Sequence, residues 1–459
     1  MNMAELLEQI ISDLGQEIAL IGDDIDERYF VDWSRENPCK PDVILRPACS
    51  TDVSIILKHC HTAGQVVVTQ GGMTGLVGGA TPRPGEWVIS MERMKGVTEL
   101  DMDSMTMTTL AGTPLEELQN VARDAGVMLP LDLGARGSCT IGGNISTNAG
   151  GNQVIQYGMT RSLVLGLEAV MADGTIISSK NKLLKNNTGF DLKHLFIGSE
   201  GVLGIVTEAV LRLFPAKSSR QSALCALDDF TCVINLLTQL KKNLQVVSSY
   251  EVMWENYFRY AINHIEYTRD PFDNQYKYYV LVESEGNDPV IDEELFQSVL
   301  FNEIEKGTIK DAMIAQSVKD RNDFWAIRDS VGEMLRLIKD EANFDIGIPL
   351  NKTASCIEKI ETTLMKKYPG IIYLVFGHLG DGNLHIIAAT GKKEDKKDIY
   401  DTVYRITGEH DGGIAAEHGI GILKKPWLHL SRSEQEINLM RQLKMTLDPK
   451  NILNPGRVI

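Results

Sequence analysis

Apolar residues recur at two spacings along the chain, and the change between them divides the sequence into two regions. Up to residue 215, short apolar runs such as 66–68 lead into glycine-rich turns, a pattern typical of buried strands. Beyond residue 221, apolar runs such as 278–283 alternate with longer amphipathic stretches. These amphipathic stretches are 228–243, 289–306 and 353–367. The alternation predicts an α+β domain in which helices cover one face of a sheet.

The polar stretch 216–221 separates the two regions and is predicted to be a linker. A chain of 459 residues is too long for one core, so at least two domains are expected. In the first region, Ser50 or Thr51 is predicted to cap a helix that runs through Cys60 and stops at Gly64. The predicted divisions are an N-terminal helical segment (1–35), a first domain (36–215), a second domain (216–420) and a C-terminal helical segment that returns to the first domain (421–459).

Two histidines frame a predicted hairpin turn in the stretch 377–385. Apolar runs flank this stretch on both sides, so a two-residue turn at Asp381-Gly382 would pair His378 with His385. Directly opposed residues hold their Cβ atoms roughly 4.5–5.5 Å apart, a natural separation for two imidazoles that share a metal ion.

A carboxylate and a third imidazole follow at Glu417 and His418. Two histidines and one carboxylate that leave a coordination position open describe a catalytic metal site. The ligands predicted from the residues are therefore His378, His385 and Glu417. The alternative is that all of them are ordinary polar turn and strand residues.

Glycine clusters suggest a loop that cradles phosphate. Residues 71–79 contain five glycines directly after a buried strand, and a backbone without Cβ atoms can approach phosphate oxygens closely. Neither Gly-x-Gly-x-x-Gly nor a Gly-Lys-Ser/Thr motif is present there, so a Rossmann NAD site and an NTPase loop are disfavoured. Further glycine clusters at 134–143, 150–151 and 198–204 favour an extended ligand over tight turns in a β-rich core.

Composition narrows the partners and the compartment. A net charge of −16 and a pI near 5.1 argue against nucleic acid and anionic lipid as partners. The seven cysteines are scattered without a Cys-x-x-Cys pair, which indicates reduced thiols and a cytoplasmic protein. The acidic amphipathic start does not look like a signal peptide, and no apolar run approaches the roughly 20 residues that span a bilayer. A soluble protein is therefore expected.

Three glycine-rich motifs carry a resemblance to a known fold. Gly71-Gly-Met-Thr-Gly-Leu-Val-Gly-Gly79, Ile141-Gly-Gly-Asn-Ile-Ser-Thr-Asn-Ala-Gly-Gly151 and Phe196-Ile-Gly-Ser-Glu-Gly-Val-Leu-Gly204 resemble the FAD-binding domain of vanillyl-alcohol-oxidase-type flavoproteins. The histidine motif at 377–385, Glu417-His418 and Leu453-Asn-Pro-Gly456 narrow the resemblance to the D-2-hydroxyacid dehydrogenase branch. That branch includes FAD-dependent D-lactate, glycolate and D-2-hydroxyglutarate dehydrogenases.

The resemblance implies an α+β fold class, in which the domain at 36–215 binds FAD and the second domain is an α+β substrate (cap) domain with an antiparallel sheet. Residues 71–75 would hold the pyrophosphate, 134–148 and 201–206 would line the isoalloxazine and adenine portions, and Asn454 would lie near the flavin. The residues expected to bind the cofactor are Gly71, Gly72, Met73, Thr74, Gly75, Gly134, Ser138, Gly142, Gly143, Asn144, Thr147, Asn148, Gly201, Gly204, Ile205, Val206 and Asn454.

Two details qualify the FAD site. Met73 stands where many relatives carry asparagine, but the backbone donors remain. Some relatives attach FAD through a histidine in this region. The nearest histidines here are His59 and His61, on the preceding helix, so non-covalent FAD is expected.

The resemblance also assigns roles around the predicted metal, which is expected to be Zn²⁺. His418 follows the glutamate and corresponds to the family's general base; the alternative is a supporting or packing residue. Arg328, at the end of Asp323-Phe-Trp-Ala-Ile-Arg328, corresponds to the arginine that grips the substrate carboxylate, since a guanidinium offers bidentate donors. The alternative for Arg328 is an ion pair with a helical acid.

The distal end of the substrate site departs from the hydroxyglutarate-specific relatives. Those relatives add a threonine and a lysine where this chain holds Gly332 and Asn343, although Lys339 could substitute for the lysine. A smaller 2-hydroxy acid is therefore expected as the substrate, bound by Arg328, Asn343 and Lys339.

The sequence therefore favours an FAD-dependent D-2-hydroxyacid dehydrogenase similar to D-lactate dehydrogenases, but several other functions remain open. They are a D-2-hydroxyglutarate-specific dehydrogenase, a flavin oxidase acting on a sugar acid or alcohol, and a flavin-binding protein with a structural metal clip. The sequence leaves open whether a quinone or an electron-transfer flavoprotein accepts the electrons. A homodimer is also open.

Overall fold

The computed structural model describes residues 2–459 and divides the chain into two compact units. Unit 1 combines the chain up to Gly150 with Tyr157–Ala216 and Glu417–Ile459. Unit 2 combines Gly151–Gln156 with Lys217–Ala416. The chain therefore returns to its first unit at the C-terminal end.

Helices and strands follow one another along the described chain. The helices are α1 (Met3–Leu14), α2 (Ser50–Ala63), α3 (Leu115–Asp124), α4 (Ile141–Thr147), α5 (Val154–Tyr157), α6 (Thr160–Leu163), α7 (Lys193–Phe196), α8 (Phe230–Asn243), α9 (Glu255–His264), α10 (Pro289–Glu305), α11 (Val318–Arg328), α12 (Val331–Leu337), α13 (Thr353–Lys367), α14 (Lys396–Glu409) and α15 (Glu434–Leu447). The strands are β1 (Ala19–Ile21), β2 (Val43–Leu45), β3 (Val67–Gln70), β4 (Trp87–Ser90), β5 (Val97–Asp101), β6 (Thr106–Leu110), β7 (Val127–Met128), β8 (Val164–Val170), β9 (Ile176–Ser179), β10 (Ile205–Arg212), β11 (Phe214–Pro215), β12 (Ser219–Leu227), β13 (Val247–Trp254), β14 (Tyr278–Gly286), β15 (Asp311–Ile314), β16 (Ala342–Gly347), β17 (Ile372–Gly377) and β18 (Asn383–Ala389).

Local sequence signals explain several helix ends. Asn2 and Glu5 form a capping box at the start of α1, in which each side chain accepts the other residue's backbone N–H. The helix predicted to stop at Gly64 is α2; the Gly64 backbone has a φ of 72° and its N–H donates to carbonyls of the last turn. The predicted helix is confirmed, but its N-cap is Cys49 and not Ser50 or Thr51, since Ser50 is already the first helical residue.

Unit 1 contains two main sheets. One has the order β1-β2-β4-β3, with β4 parallel to both β2 and β3, and the other is antiparallel with the order β5-β6-β10-β8-β9. Strand β3 also bridges to Leu453 near the C-terminus, so the chain end reaches the strand that leads into the first glycine loop. The N-terminal segment 1–35 was predicted to be helical. It also contains strand β1, which pairs with β2.

Unit 2 is built on one antiparallel sheet of seven strands, in the order β15-β12-β14-β13-β17-β18-β16. The predicted linker 216–221 is wrong in part, because residues 219–221 open the long strand β12. Its arginine is paired inside the sheet: Arg220 binds Glu285 on the neighbouring strand β14. An ion pair across two strands explains why a polar stretch here is strand and not linker.

Helices cover both faces of this sheet, so the predicted single helical layer is wrong. Met253 of β13 packs in a core cluster with Tyr257 and Phe258 of α9. Tyr250, on the opposite face of β13, donates its hydroxyl to the Val233 carbonyl of α8 at 2.6 Å. The α+β class with an antiparallel sheet in the second unit is confirmed. Within residues 2–459, the helices all fall short of the length and hydropathy that crossing a bilayer requires.

Candidate active site

The first glycine loop of unit 1 runs against the second glycine-rich region without space for side chains. A Cβ atom on Gly71 would lie 2.5 Å from Thr140 Oγ1, and a Cβ atom on Gly72 would lie 2.0 Å from the Ser138 carbonyl oxygen. Met73 follows with a φ of 56°, in the left-handed region. The structure therefore brings 71–72 together with 138–143, as a cradle that only glycine at 71 and 72 can form.

Two hydroxyl groups next to this cradle are left for a ligand. The Oγ1 atoms of Thr69 and Thr140 are buried and have no hydrogen-bond partner among residues 2–459. Buried hydroxyls are normally paired, so two orphans beside a glycine cradle indicate a ligand rich in acceptor oxygens. A pyrophosphate has that chemistry, so these residues fit FAD.

Other residues predicted to bind the cofactor lie in the same unit, but several of their side chains are already used. Thr147 Oγ1 donates to the Gly143 carbonyl at 3.1 Å, and Asn148 Oδ1 accepts the Arg161 N–H at 2.9 Å. Asn144 Nδ2 donates to Cys139 Sγ at 3.6 Å. Their side chains therefore shape helix α4 and its end. Gly142 and Gly143 lie in α4, whereas Gly134 and Ser138 are exposed in the preceding loop.

Asn454 ties three segments of unit 1 together. Its Oδ1 accepts the Thr69 N–H at 2.9 Å, and its Nδ2 donates to the Glu200 carbonyl at 2.7 Å. Gly201 and Gly204 follow Glu200, and Ile205 and Val206 begin strand β10. The side chain of Asn454 thus fixes the strand below the glycine loop, and its contact with flavin stays a prediction.

Glu200 fixes the loop that carries Glu417 and His418. Its carboxylate accepts the N–H groups of Ile420 at 2.7 Å and Gly421 at 2.8 Å. Burial raises the pKa of Glu200, although these two N–H groups oppose the shift. Sequence reasoning gave Glu200 no role; the signal was an acid inside the apolar, glycine-rich run 196–206.

The histidine hairpin of unit 2 has a longer turn than predicted. Phe376, not His378, lies opposite His385, and His378 falls in the turn after β17. The His378 carbonyl accepts the N–H groups of both Asp381 and Asn383 at 3.2 Å. Gly377 has a φ of 149°, and a Cβ there would lie 2.7 Å from the Asn383 carbonyl oxygen, so the strand turns at that glycine.

The two imidazoles still meet, because an offset of two residues preserves the face of a strand. The ring centroids of His378 and His385 are 5.4 Å apart. Both histidines belong to unit 2, whereas Glu417 is the first residue of the last segment of unit 1. Unit 2 therefore brings together two of the three predicted ligands, whose imidazoles suit a zinc-type ion, and Glu417 as the third ligand stays a prediction.

Asp345 is a further acid at this cluster that sequence reasoning missed. It is fully buried on β16, directly opposite His385. Asp345 Oδ2 also accepts the Ala416 N–H at 3.1 Å, which fixes the chain immediately before Glu417. The available signal was an acid between the apolar residues Phe344 and Ile346.

Arg328 is buried at the end of α11 and pairs with Glu251 of β13. Its Nε donates to Glu251 Oε2 at 2.8 Å, and its Nη2 donates to His378 Nε2 at 3.2 Å. Glu251 Oε1 accepts from His378 Nδ1 at 2.7 Å. Arg328 Nη1 also lies 3.5 Å from Oδ1 of Asp329, the residue that ends α11. The alternative, a surface ion pair with a helical acid, is thus met only in part, because Arg328 is buried and its shorter contact is with a strand residue.

The electrostatics of this group favour the charged forms of both Glu251 and Arg328. Burial opposes ionisation of Glu251, but the charge of Arg328 and the hydrogen bonds from His378 and Arg328 outweigh it and lower the pKa of Glu251. Burial likewise opposes the charged form of Arg328, and Glu251 reverses the effect and raises the pKa of the guanidinium. The pair is thus a carboxylate and a guanidinium at neutral pH.

The residues predicted to lie at the distal end of the substrate differ in burial. Asn343 shares a face of β16 with Asp345, and its Oδ1 is buried without a hydrogen-bond partner in residues 2–459. Lys339 is exposed between α12 and β16. Gly332 lies in α12, where a Cβ would meet no atom within 4 Å.

Known proteins resemble this chain in both of its regions. The protein-family model described as "FAD binding domain" matches residues 41–180, and the family model described as "FAD linked oxidases, C-terminal domain" matches residues 216–458. The D-2-hydroxyglutarate dehydrogenase, mitochondrial, of Arabidopsis thaliana is 38% identical over 433 residues, covering 93% of this chain and 77% of that protein. The D-2-hydroxyglutarate dehydrogenase of Xanthomonas citri pv. viticola is 36% identical over 439 residues, covering 94% of this chain and 92% of that protein.

Solved structures are similar over almost the whole chain. Alkyldihydroxyacetonephosphate synthase matches with a TM-score of 0.74 and 20% identity, covering 99% of this chain and 85% of that chain. p-Cresol methylhydroxylase matches with a TM-score of 0.76 and 14% identity, covering 99% and 96%. At these identities the likeness concerns the fold alone, and it confirms the expected fold class.

Proposed function

Because this chain belongs to the FAD-linked oxidase family, as an FAD-dependent D-2-hydroxyacid dehydrogenase, we propose that it oxidises a monocarboxylic D-2-hydroxy acid to the 2-oxo acid with the help of a divalent metal. The observation that carries the proposal is the group that His378, His385 and Arg328 form inside unit 2: the two imidazole centroids are 5.4 Å apart, and Arg328 Nη2 donates to His378 Nε2 at 3.2 Å. In the proposal Arg328 binds the carboxylate, Glu417 is the third ligand and His418 takes the proton.

Each residue of the cluster has a distinct task in this reaction. When bound, FAD supplies the hydride acceptor, and a metal such as Zn²⁺ acidifies the substrate hydroxyl. His378, His385 and Glu417 hold that metal. His418 takes the hydroxyl proton, because an imidazole has an unperturbed pKa near working pH.

Arg328 fixes the C1 carboxylate of the substrate. Glu251 occupies its Nε–H, and its two Nη groups offer further donors to an acid. Because the Arg328–Glu251 pair is buried, the guanidinium is already oriented before substrate arrives.

The preference for a monocarboxylic acid follows from the distal residues. Gly332 offers no hydroxyl, and Asn343 offers no charge to a second carboxylate. Burying a carboxylate without a charged partner costs several kcal/mol. The Asn343 Oδ1, buried without a partner in the described chain, suits instead a neutral donor. The relatives reported above are named for D-2-hydroxyglutarate, which is therefore the second candidate substrate.

The test is anaerobic reduction of the flavin by a panel of acids. D-Lactate, longer D-2-hydroxy monoacids, D-2-hydroxyglutarate and the L-isomers are each added to the purified protein, and the loss of flavin absorbance is followed. We expect the D-monoacids to give the highest kcat/KM. A higher kcat/KM for D-2-hydroxyglutarate than for every monoacid would contradict the substrate proposal.

We also propose how FAD is held, which molecules accept the electrons and where the protein is located. FAD is bound without a covalent link, so acid precipitation should release the flavin to the supernatant. An external acceptor, either a quinone or an electron-transfer flavoprotein, takes the electrons, and peroxide formed at the rate of turnover in air would identify an oxidase instead. The cytoplasmic location also stays a prediction, whereas the Arabidopsis relative is named as mitochondrial.

A further inference from the structure

One carboxylate, that of Glu251, serves two residues of the proposed active site at once. Its Oε1 accepts from His378 Nδ1 at 2.7 Å, and its Oε2 accepts from Arg328 Nε at 2.8 Å. The side chain of Glu251 is 1% exposed, and those of His378 and Arg328 are 7% exposed. A third contact, from Arg328 Nη2 to His378 Nε2 at 3.2 Å, closes the triangle.

The chemistry of these partners fixes the tautomer of His378. A guanidinium has no acceptor, so Arg328 Nη2 must donate, and His378 Nε2 must carry a lone pair. An ionised carboxylate has no donor, so the His378 proton must be on Nδ1. The neutral Nδ1–H form is therefore the one that satisfies both neighbours. A metal ligand also requires a lone pair on the nitrogen it offers, so a metal bound at Nε2 would take the lone pair that the Arg328 N–H occupies in the metal-free protein.

A simple structural ion pair would not need this arrangement. The same sheet and helix contain one: Glu283 of β14 accepts from Arg321 of α11 at 2.5 Å and from Trp325 Nε1 at 2.8 Å. Glu283 is 2% exposed. Glu251 differs from Glu283 in binding both a predicted metal ligand and the predicted carboxylate-binding arginine.

We propose that Glu251 is a positioning residue of the active site, which holds His378 as the Nδ1–H tautomer for the metal and holds Arg328 in place for the substrate carboxylate. The inference rests on the proposed metal-dependent function. Carboxylates that orient a metal-binding histidine fix its ring and raise its basicity, and their loss typically lowers metal affinity roughly 10- to 100-fold.

The test compares Glu251→Gln with the matched control Glu283→Gln. Glutamine retains the shape of the glutamate side chain. Its NH₂ group cannot accept a hydrogen bond, however, so it loses the bond from either His378 Nδ1–H or Arg328 Nε–H. The holoproteins are depleted of metal, and Co²⁺ affinity is measured from its visible absorption in competition with a chelator. Thermal unfolding is used to check that both variants are folded, and steady-state kinetics are used to separate effects on KM from effects on kcat.

We expect E251Q to bind Co²⁺ roughly 10- to 100-fold more weakly than wild type and to have a raised KM for the hydroxy acid. E283Q should keep the wild-type Co²⁺ affinity, although it also breaks a buried glutamate–arginine pair. Glu251→Asp, which keeps the charge but shortens its reach, should recover part of the affinity. Equal Co²⁺ affinity in wild type and a folded E251Q, or an equal loss in E251Q and E283Q, would overturn the inference.

A second measurement does not require the metal. In metal-free protein labelled with ¹⁵N-histidine, the His378 signals, identified by their absence in His378→Ala, should report the Nδ1–H tautomer, and E251Q should lose it. If wild type bound no Co²⁺, the metal proposal would fail. Retention of the Nδ1–H tautomer in E251Q would overturn the positioning role itself.

Discussion

A single methyl group at position 72 should impair the cofactor site. In Gly72→Ala, the new Cβ would lie 2.0 Å from the Ser138 carbonyl oxygen and 2.9 Å from Cys139 Cα. Both atoms belong to backbone, so no side chain can rotate away. The two segments must instead separate by about 1.4 Å to reach ordinary contact, which begins at 3.4 Å.

The cost of such overpacking is typically about 1–3 kcal/mol. If the holoprotein carries that strain, FAD binding weakens about 5- to 150-fold, since each 1.4 kcal/mol is a factor of ten. The assay is titration of apoprotein with FAD, followed by protein fluorescence. Gly413→Ala is the control, because a Cβ there would meet only the Ala415 carbonyl oxygen at 3.9 Å.

G413A should bind FAD as wild type does. Wild-type FAD affinity in G72A would refute the cradle, because it would mean that 71–72 and 138–139 do not close around the cofactor. A G72A protein that fails to fold would be recognised by circular dichroism. Gly71→Ala, whose Cβ meets a side-chain hydroxyl at 2.5 Å, then supplies a milder variant with the same expected direction.

Three further outcomes are expected. His378→Ala should lose metal and turnover but retain FAD, as metal analysis and the flavin spectrum would show, and a fully active metal-free variant would contradict the ligand set. Arg328→Lys should raise KM for the hydroxy acid more than it lowers kcat, because lysine keeps the charge but not the bidentate fork; an unchanged KM would remove Arg328 from the carboxylate site. Gly332→Thr combined with Asn343→Lys should raise kcat/KM for D-2-hydroxyglutarate relative to D-lactate, and G332T alone should fold, since a Cβ there meets no atom within 4 Å.

Much of the site could be predicted because it depends on local sequence. A strand that ends in several glycines predicts a phosphate cradle, and the structure brings 71–72 against 138–143. The histidines at 378 and 385 are close in the chain, so even a wrong turn length left them on the same face. The register itself depended on the backbone of Gly377, whose φ of 149° is not encoded by apolar spacing.

The residues that sequence reasoning missed act over long separations. Glu251 is 77 residues from Arg328 and 127 from His378, and Asp345 is 71 residues from Ala416. In the sequence, both are single acids inside apolar strands, where an acid could as well face solvent. Only the strand order of the seven-stranded sheet brings β13, β17, β18 and β16 together and makes these acids part of the site.

The central claim is that this flavoprotein needs its metal to oxidise a D-2-hydroxy acid. The most direct measurement is the anaerobic rate of flavin reduction by D-lactate in three samples: the protein as purified, the protein after chelation, and the chelated protein supplied with Zn²⁺. All three should contain the same amount of FAD. We predict that chelation abolishes reduction and that Zn²⁺ restores it. Equal rates before and after complete metal removal would contradict the account.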